Sequence, residues 1–333
     1  MTGLPPRYRL LLLLKEREGE FVKGGEAARA LGVSKTAIWK QARALRREGY
    51  PVEAVKGRGY RLSGRPKALL PFEVAWQLGT RWVAREVGLV HHRELVGSTQ
   101  DWARLEAERG APDGSVYIAE GQVSGRGRMG REWFSPEGRG IWMSVLLRPP
   151  MAPREALLLS LLAATATAEA VEAVAGVRAL TKWPNDIVSS RRLRKMGGVL
   201  VEMAAEPDGI RWAVVGVGLN VNVAEGEFPP ELRGKATSVA AESGREADRL
   251  AILRELLRRL DECYDLLLRG RGEEALERWR AREATIGRTV EVETEGGVVR
   301  GRALGATREG ALLLATEGGR EEVVWSGTVL MVE

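Results

Sequence analysis

The sequence predicts an α+β protein in three parts: a small helical domain with a β-hairpin, a central mixed sheet with helices on one face, and a small C-terminal β-barrel. The positive charge lies at the beginning of the chain. Residues 1–64 carry 14 Lys and Arg against 6 Asp and Glu, whereas the rest carries 37 against 39. Consecutive strand-like segments separated by short turns fill the middle of the chain. Shorter alternating segments with Gly-Gly and Glu-Gly turns fill its end, which is typical of a small barrel.

The composition is that of a globular protein. The chain has 333 residues, 44% of them hydrophobic, which is enough to bury a sizeable core. Its longest uncharged apolar run, residues 156–168, has 13 residues, fewer than the roughly 20 that a membrane span needs. No signal-peptide cleavage site follows the apolar N-terminal segment, and Cys263 is the single cysteine. We therefore expect a cytoplasmic protein with no membrane partner.

The N-terminal pattern predicts a helix-turn-helix. An apolar helix over residues 8–15 is followed by a short helix to about Leu31, a turn at Gly32 and a second helix capped by Ser34. In the second helix three residues spaced i, i+4 and i+7 are expected to face the core: Ile38, Ala42 and Leu45.

A basic hairpin follows the two helices. Val52–Val55 and Tyr60–Leu62 read as strands joined by Lys-Gly-Arg-Gly. Helix-turn-helix plus hairpin is a winged helix-turn-helix, and DNA binding is the predicted function of this part. The predicted DNA contacts are the outward residues of the second helix and the hairpin tip: Lys35, Thr36, Trp39, Lys40, Arg43, Lys56 and Arg58. The alternative is a helical domain whose solvated basic face contacts a protein.

The rest of the chain follows a Pro- and Gly-containing linker at 63–71. The pattern predicts an Ala- and Leu-rich helix and three strands, of which the last two are joined by the turn sequence EPDG. The predicted helix covers residues 152–175, and the predicted strands cover residues 179–187, 198–204 and 210–221. The predicted domains are residues 1–64, 65–284 and 285–333.

One loop combines flexibility with positive charge. The stretch EGQVSGRGRMGREWFSPEGRGIWMSVLL, residues 120–147, has six glycines and four arginines between the predicted strands Ser115–Glu120 and Ile141–Leu147. Glycines let a backbone approach a ligand closely, and arginines match phosphate oxygens, so the loop is a candidate phosphate lid. It is neither a Walker A loop nor a dinucleotide fingerprint. Taken alone, a solvated loop or a second nucleic-acid contact explains it equally well.

Four further motifs surround this loop in the sequence. Each is weak by itself, since a helix cap, a well-formed turn or a strand end explains it. They are GSTQDWARL at 97–105, TKWPNDIV at 181–188, RKMGGVLVE at 194–202 and GVGLNVN at 216–222.

In this order the motifs resemble those of the biotin protein ligase family, in particular its bifunctional members that also repress the biotin operon. The family pattern runs S-T-N, E-x-Q with G-R-G-R-x-G-R-x-W, K-W-P-N-D, K-x-x-G and G-x-G-x-N. The matching stretches are Ser98–Gln100, Glu120 with Gln122, Gly125–Trp133, Lys182–Asp186, Lys195–Gly198 and Gly216–Asn220. The resemblance covers nearly the whole chain and implies an SH3-like C-terminal barrel. Gln100 stands where the family has asparagine.

The resemblance implies a reaction in two steps. Biotin and ATP give biotinyl-5′-adenylate and pyrophosphate, and biotin is then transferred to a lysine of the biotin carboxyl carrier protein. It also implies Mg²⁺, a homodimer and operator DNA. Two rival interpretations remain. A ligand-sensing transcription factor with an inactive ligase domain would share the fold, and a lipoate ligase would share a related domain and chemistry.

The resemblance also implies site residues. Lys195, with Arg126 and Arg128, is expected to be catalytic, and Arg194 is the competing candidate for the lysine's role. Asp186 is expected to hold Mg²⁺. The expected biotin-binding residues are Ser98, Thr99, Gln100, Gln122, Arg126, Gly127, Arg128 and Lys195. The expected ATP-binding residues are Arg128, Arg131, Trp133, Asn185, Lys195 and Asn220.

Overall fold

The computed structural model describes residues 4–17, 19–316 and 318–331. The chain forms two compact units, Met1–Glu73 and Val74–Glu333. The elements of the first unit are α1 (Pro6–Glu16), α2 (Gly24–Leu31), α3 (Lys35–Arg47), β1 (Val52–Val55) and β2 (Gly59–Leu62).

The first unit confirms the predicted helix-turn-helix. Helix α2 ends at Gly32, whose φ of +66° lies in the left-handed region that glycine tolerates. Helix α3 begins at Ser34, whose side chain accepts a hydrogen bond from Ala37 N at 3.1 Å. The three predicted inward residues are fully buried: Ile38, Ala42 and Leu45.

The hairpin is also as predicted. Strands β1 and β2 are antiparallel, with Val52 opposite Leu62. Gly59 at the start of β2 has φ +109°, and a Cβ there would lie 2.0 Å from Val22 O. Only glycine therefore fits where the hairpin meets the chain before α2.

Helix α4 (Pro71–Ala75) lies at the junction of the two units along the chain. The helices of the second unit are α5 (Thr99–Glu108), α6 (Ala156–Ala175), α7 (Val239–Ser243), α8 (Arg249–Leu268) and α9 (Gly272–Arg280). Its strands are β3 (Val90–Val96), β4 (Ser115–Gln122), β5 (Gly140–Leu147), β6 (Ala179–Lys182), β7 (Asp186–Ser189), β8 (Lys195–Glu206), β9 (Gly209–Asn220), β10 (Thr289–Thr294), β11 (Gly297–Ala306), β12 (Leu312–Thr316), β13 (Glu321–Val324) and β14 (Thr328–Met331).

The second unit contains a seven-stranded mixed sheet in the order β3-β4-β5-β9-β8-β7-β6. Only the β3–β4 pair is parallel. Helix α5 packs on β4, β5 and β9, and α6 packs on β6 to β9 and against α8. The predicted α+β class with a mixed sheet is confirmed.

The predicted strand over 179–187 is wrong in one respect. The chain reverses at Trp183–Asn185 and forms the antiparallel pair β6 and β7, with Lys182 opposite Asp186. Pro184 cannot donate to a strand ladder, so the strand ends and the chain turns there. Lys182 and Asp186, the two charged residues of the motif, therefore lie opposite each other directly beside the turn.

Helix α6 is a core helix. Together with the turn before it, Pro153–Ala175 is long and apolar enough to cross a membrane by length and composition, but its apolar window is 72% buried inside the protein. An all-round apolar helix of this kind is expected where both sides are covered.

The C-terminal residues form a five-stranded antiparallel sheet in the order β13-β12-β11-β10-β14. Its apolar core includes Val290, Val292, Leu312 and Leu314, and it takes in Trp183 from the β6–β7 turn. The Trp183 indole N–H donates to Gly310 O at 3.0 Å. The small all-β domain is thus fastened to the turn that carries Asn185.

Candidate functional site

A cleft of about 370 Å³ opens in the second unit, lined by the ends of α5, β4, β8 and β9 and by the loop after β4. Every residue that the sequence assigned to biotin, ATP or Mg²⁺ lines it: Ser98, Thr99, Gln100, Gln122, Arg126, Gly127, Arg128, Arg131, Trp133, Asn185, Asp186, Lys195 and Asn220. The fold brings together residues that are up to 122 positions apart in the chain. The sequence alone shows only the order in which their motifs occur.

One wall of the cleft is a network of uncharged hydrogen-bonding groups. Thr99 donates from its backbone N to Gln122 Oε1 at 2.8 Å, and its hydroxyl lies 3.0 Å from Ser144 Oγ. Gln122 Nε2 donates to Ser135 Oγ at 2.8 Å. Helix α5 begins at this wall, and Ser98 caps it by accepting from Gln100 N. Such an array suits a compact, uncharged polar headgroup.

Gln100 occupies a buried slot behind this wall. Its Nε2 donates to Val214 O at 3.1 Å, and Ser144 Oγ donates to its Oε1 at 3.0 Å. A Cβ at Gly216 would lie 2.5 Å from that Oε1, so the glycine makes room for the amide. The extra methylene relative to asparagine thus brings the amide N–H to the β9 backbone, while the Ser144 hydroxyl of β5 satisfies the amide oxygen.

The loop rich in glycine and arginine at residues 124–133, called here the Gly/Arg loop, is a short hairpin. Trp133 N donates to Gly125 O, and Gly127 N donates to Arg131 O, each at 2.8 Å. Met129 and Gly130 at its tip have positive φ values of 55° and 71°. Gly125 is close-packed, since a Cβ there would lie 2.4 Å from Trp133 O.

Each arginine of this hairpin bonds to a different element. Arg126 pairs with Asp101 of α5 at 2.7 Å and Glu202 of β8 at 2.8 Å. Arg128 donates to Asn185 Oδ1 at 3.2 Å. Arg131 donates to Thr328 Oγ1 of the C-terminal sheet, also at 3.2 Å. The loop is therefore fastened at three points around the cleft.

A second wall carries charge. Lys195 Nζ lies 2.6 Å from Asp186 Oδ1 and 5.3 Å from the centroid of the Trp133 ring. Burial lowers the pKa of the Lys182 ammonium, and repulsion by Lys195 adds to this, while Asp186 opposes it. Burial also lowers the pKa of the Arg128 guanidinium. Several cations share this wall with one carboxylate, so the wall suits a ligand with several negative charges.

Arg194, the competing candidate for the role of Lys195, points elsewhere. Its guanidinium donates to Glu225 Oε1 at 3.1 Å and Glu242 Oε1 at 3.3 Å. It is absent from the residues that line the cleft. Lys195 is held by its own backbone, which pairs with residues 235–237 through Lys195 N to Lys235 O and Thr237 N to Lys195 O, both at 2.9 Å.

The described residues contain no group of three or more His, Cys, Asp or Glu able to enclose a metal ion. Asp186 lies in the cleft beside Asn185. Mg²⁺ is commonly held by one or two carboxylates together with substrate phosphates and water. The donor set therefore fits Mg²⁺ arriving with a nucleotide.

Sequence reasoning missed part of the cleft. Residues 228–236 contribute Phe228, Leu232 and Lys235, and the C-terminal sheet contributes residues 327–329. Ser144 in the middle of β5 also lines it. A lone serine within an apolar strand was the available signal for Ser144, whereas the other segments carry no motif. Lys182 lies in the K-W-P-N-D motif and lines the cleft, although the sequence alone predicts no role for it.

The predicted DNA-contacting residues all belong to the first unit. Five lie on the outer side of α3, and none of these five is buried: Lys35, Thr36, Trp39, Lys40 and Arg43. Lys56 is exposed at the hairpin tip. The Arg58 guanidinium lies 4.1 Å from the Phe21 ring centroid, so part of its surface is used within the unit.

Comparison with known proteins gives matches along the chain. Residues 94–222 match the Biotin/lipoate A/B protein ligase family, residues 7–61 an HTH domain, and residues 285–332 the Biotin protein ligase C terminal domain. The Bifunctional ligase/repressor BirA of Bacillus subtilis is 38% identical over 95% of this chain and 96% of its own length. The protein of that name from Escherichia coli is 31% identical over 93% and 92%.

A solved structure supports the same grouping. Biotin protein ligase from Aquifex aeolicus, in complex with biotin and ATP, superposes with a TM-score of 0.62 at 30% identity. The match covers 73% of this chain and 98% of the other.

Proposed function

Since the chain belongs to the biotin protein ligase family, we propose that it activates biotin with ATP and transfers it to a lysine of the biotin carboxyl carrier protein. The observation that carries this proposal is the convergence of five separate motifs on one cleft with an uncharged polar wall and a cationic wall. The relatives covering over nine-tenths of the chain are named ligase/repressors, and the solved relative holds biotin and ATP.

In the first step an oxygen of the biotin carboxylate attacks the α-phosphorus of ATP. The bond from that phosphorus to the β-phosphate oxygen breaks, and pyrophosphate leaves. A carboxylate must approach a polyanion, so the protein has to offset negative charge as the new bond forms. Lys195 bridges the biotin carboxylate and the α-phosphate, and Arg126 and Arg128 neutralise further oxygens. Lys182, near Lys195 in the cleft, contributes to the same field.

The remaining residues position the two substrates. Ser98, Thr99, Gln100 and Gln122 bind the biotin headgroup through the uncharged wall, with Gly127 allowing close approach. Asn220 meets the adenine, Trp133 packs on the nucleotide, and Asn185 and Arg131 contact the phosphate side. Asp186 would hold Mg²⁺, which would supply positive charge to the phosphates.

In the second step the ε-amine of the carrier lysine attacks the acyl carbon of the adenylate. An amide forms, the bond from the acyl carbon to the phosphate oxygen breaks, AMP leaves and the amine loses a proton. The adenylate is a reactive anhydride, so water must be excluded until the carrier arrives. The hairpin at 124–133 closes the cleft, and its three arginine contacts hold it in place.

The first unit gives the protein its second role. We propose that it binds operator DNA and that the adenylate is the corepressor, so that a homodimer presents two recognition helices to two half-sites. The domain limits 1–64, 65–284 and 285–333 and a cytoplasmic location belong to this proposal. The support is the HTH match and the full-length similarity to named repressors.

The test is transfer of labelled biotin or lipoate to a carrier domain in the presence of ATP and Mg²⁺. We expect labelling with biotin and none with lipoate. Labelling with lipoate would identify a lipoate ligase. Tight biotin binding without labelling would identify a sensor with an inactive catalytic domain and would contradict the ligase proposal.

A further inference from the structure

Helix α3 exposes a tryptophan at its centre. Trp39 is 50% exposed, whereas the preceding residue, Ile38, is fully buried. A large aromatic side chain left half in water contributes little to the core of a small domain. Its exposed half therefore offers a flat apolar surface in the middle of a cationic helix face, where it is available to contact another molecule.

The surroundings of Trp39 select the kind of molecule. Among the described residues no carboxylate lies within ion-pair distance of Lys35, Lys40 or Arg43, which share its face of α3. The carboxylates of the unit that form ion pairs are neutralised elsewhere: Glu26 by Arg17, Glu48 by Arg7, Glu53 by Arg61 and Glu73 by Lys15. An apolar centre ringed by unpaired cations fits a polyanion that also offers an apolar contact.

Arg43 is oriented by the same tryptophan. Its guanidinium carbon lies 5.5 Å from the centroid of the Trp39 ring, one helical turn further along α3. Cation–π contact and the i, i+4 spacing hold the guanidinium over the ring. The two side chains therefore form one preassembled unit, called here the Trp39–Arg43 pair.

We propose that the Trp39–Arg43 pair reads base edges, with Trp39 covering the C5-methyl group of a thymine and Arg43 bonding a nearby guanine. In the major groove, thymine is the base with an apolar group, and guanine O6 and N7 match an arginine fork. Residues four apart are about 6 Å apart along a helix axis, and base pairs are about 3.4 Å apart. The thymine and the guanine thus lie within two base-pair steps of each other.

This inference rests on the proposed DNA-binding function and adds to it the bases that determine specificity. The probe is a random 20-base-pair duplex library, selected with the full-length chain in the presence of biotin, ATP and Mg²⁺. Wild type, Trp39→Ala, Trp39→Phe and Lys40→Ala are then compared on the selected duplex and on a scrambled duplex over a range of salt concentrations. Thermal unfolding of each full-length variant, followed by circular dichroism, verifies that its first unit is folded, because biotin transfer reports only on the second unit.

We expect the wild type to select a half-site containing the predicted thymine and guanine. Replacing that thymine by deoxyuridine removes only the methyl group, and it should weaken wild-type binding several-fold. Trp39→Ala should discriminate roughly 10-fold less than the wild type between the selected and the scrambled duplex. Its affinity should not change when the thymine is replaced by deoxyuridine. Its salt dependence should stay that of the wild type, because no phosphate contact is removed. Trp39→Phe should retain part of the thymine preference, and Lys40→Ala should weaken both duplexes alike.

Two outcomes would overturn the inference, and they differ in what they leave standing. If the wild type binds its selected duplex and Trp39→Ala keeps the same consensus and the same response to deoxyuridine, DNA binding stands and the Trp39–Arg43 pair does not read bases. If the wild type enriches no sequence and binds no duplex in a salt-dependent way, the proposed DNA function fails as well, and the face is a protein-binding surface.

Discussion

The cleft of the second unit and the outer face of α3 are both rich in cations, but they handle charge in opposite ways. In the cleft, Arg126 and Lys195 are paired with Asp101, Glu202 and Asp186. On α3, Lys35 and Lys40 form no ion pair with any described residue. A catalytic site needs its charges fixed before the substrate arrives, because preorganised dipoles and ions stabilise a transition state without rearranging. A nucleic-acid surface instead gains affinity by releasing counterions from phosphates, which needs cations that are free to reach them.

The largest expected effect tests the fixed charges of the cleft. Lys195→Ala should lower the rate of biotinyl-adenylate formation by about 100- to 1,000-fold, the cost typical of removing one group that stabilises developing charge. Lys195→Arg should not restore it, since a guanidinium does not replace a compact ammonium. The measurement is pyrophosphate release with biotin and ATP, with Lys67→Ala as a control on an exposed lysine. A loss below 10-fold would place the main charge on Lys182 and Arg128 instead.

The next effect tests the uncharged wall. Gly216→Ala places a Cβ 2.5 Å from Gln100 Oε1, which is closer than van der Waals contact, and the amide is held by Val214 O and Ser144. Disrupting a buried hydrogen-bonded group costs about 1–3 kcal/mol, so biotin affinity should fall roughly 10- to 100-fold. Calorimetric titration with biotin measures it. Gly226→Ala is the matched control, because nothing lies within 4 Å of its Cβ; equal biotin affinity in the two variants would contradict the packing argument.

A smaller effect tests the free charges of α3. Lys40→Ala should weaken duplex binding several-fold for every sequence and reduce the slope of log K against log salt by about 1. The measurement is fluorescence anisotropy with a labelled duplex between low and physiological salt. Arg308→Ala, at an exposed arginine in the turn after β11, should leave this slope unchanged. An unchanged slope in Lys40→Ala would contradict a phosphate contact by Lys40.

The smallest expected effect is the uptake of a fraction of a proton per molecule when ATP binds. Burial lowers the pKa of Lys182 below its usual value, and a bound triphosphate should raise it again by favouring the charged form. Between these two pKa values, free Lys182 is partly neutral and becomes protonated on binding. ATP binding at a pH between these two values should therefore take up protons, and the uptake should vanish well below both of them, where the lysine is charged before ATP binds. Calorimetry in buffers of different ionisation enthalpy measures it.

The control for that experiment is Lys182→Met, which removes the titrating group and keeps much of its apolar length. Proton uptake that persists in this variant would assign the effect to another group. Proton release on ATP binding would contradict the sign of the argument.

The sequence predicted local elements well where periodicity and turn residues agreed. The helix-turn-helix, its Ser34 cap and the buried face of α3 all follow from spacing and capping within about 30 residues. The prediction was wrong at 179–187 because a run of apolar and polar residues reads as one strand, although Pro184 marked the turn inside it. The alternating pattern favoured one strand and the proline favoured a turn, and the proline determined the structure.

The sequence by itself determined the order of the motifs, the basic N-terminal unit and the residue types that phosphate and headgroup binding require. Only the tertiary structure decided which of these residues share a cleft, that Lys195 and not Arg194 faces it, and that residues 228–236 and 327–329 complete its walls. The physical reason is the separation along the chain of the residues that interact. Caps, turns and helix faces depend on neighbours along the chain, whereas the pairing of Arg126 with Glu202 or Arg131 with Thr328 depends on strand order and packing between segments far apart in sequence.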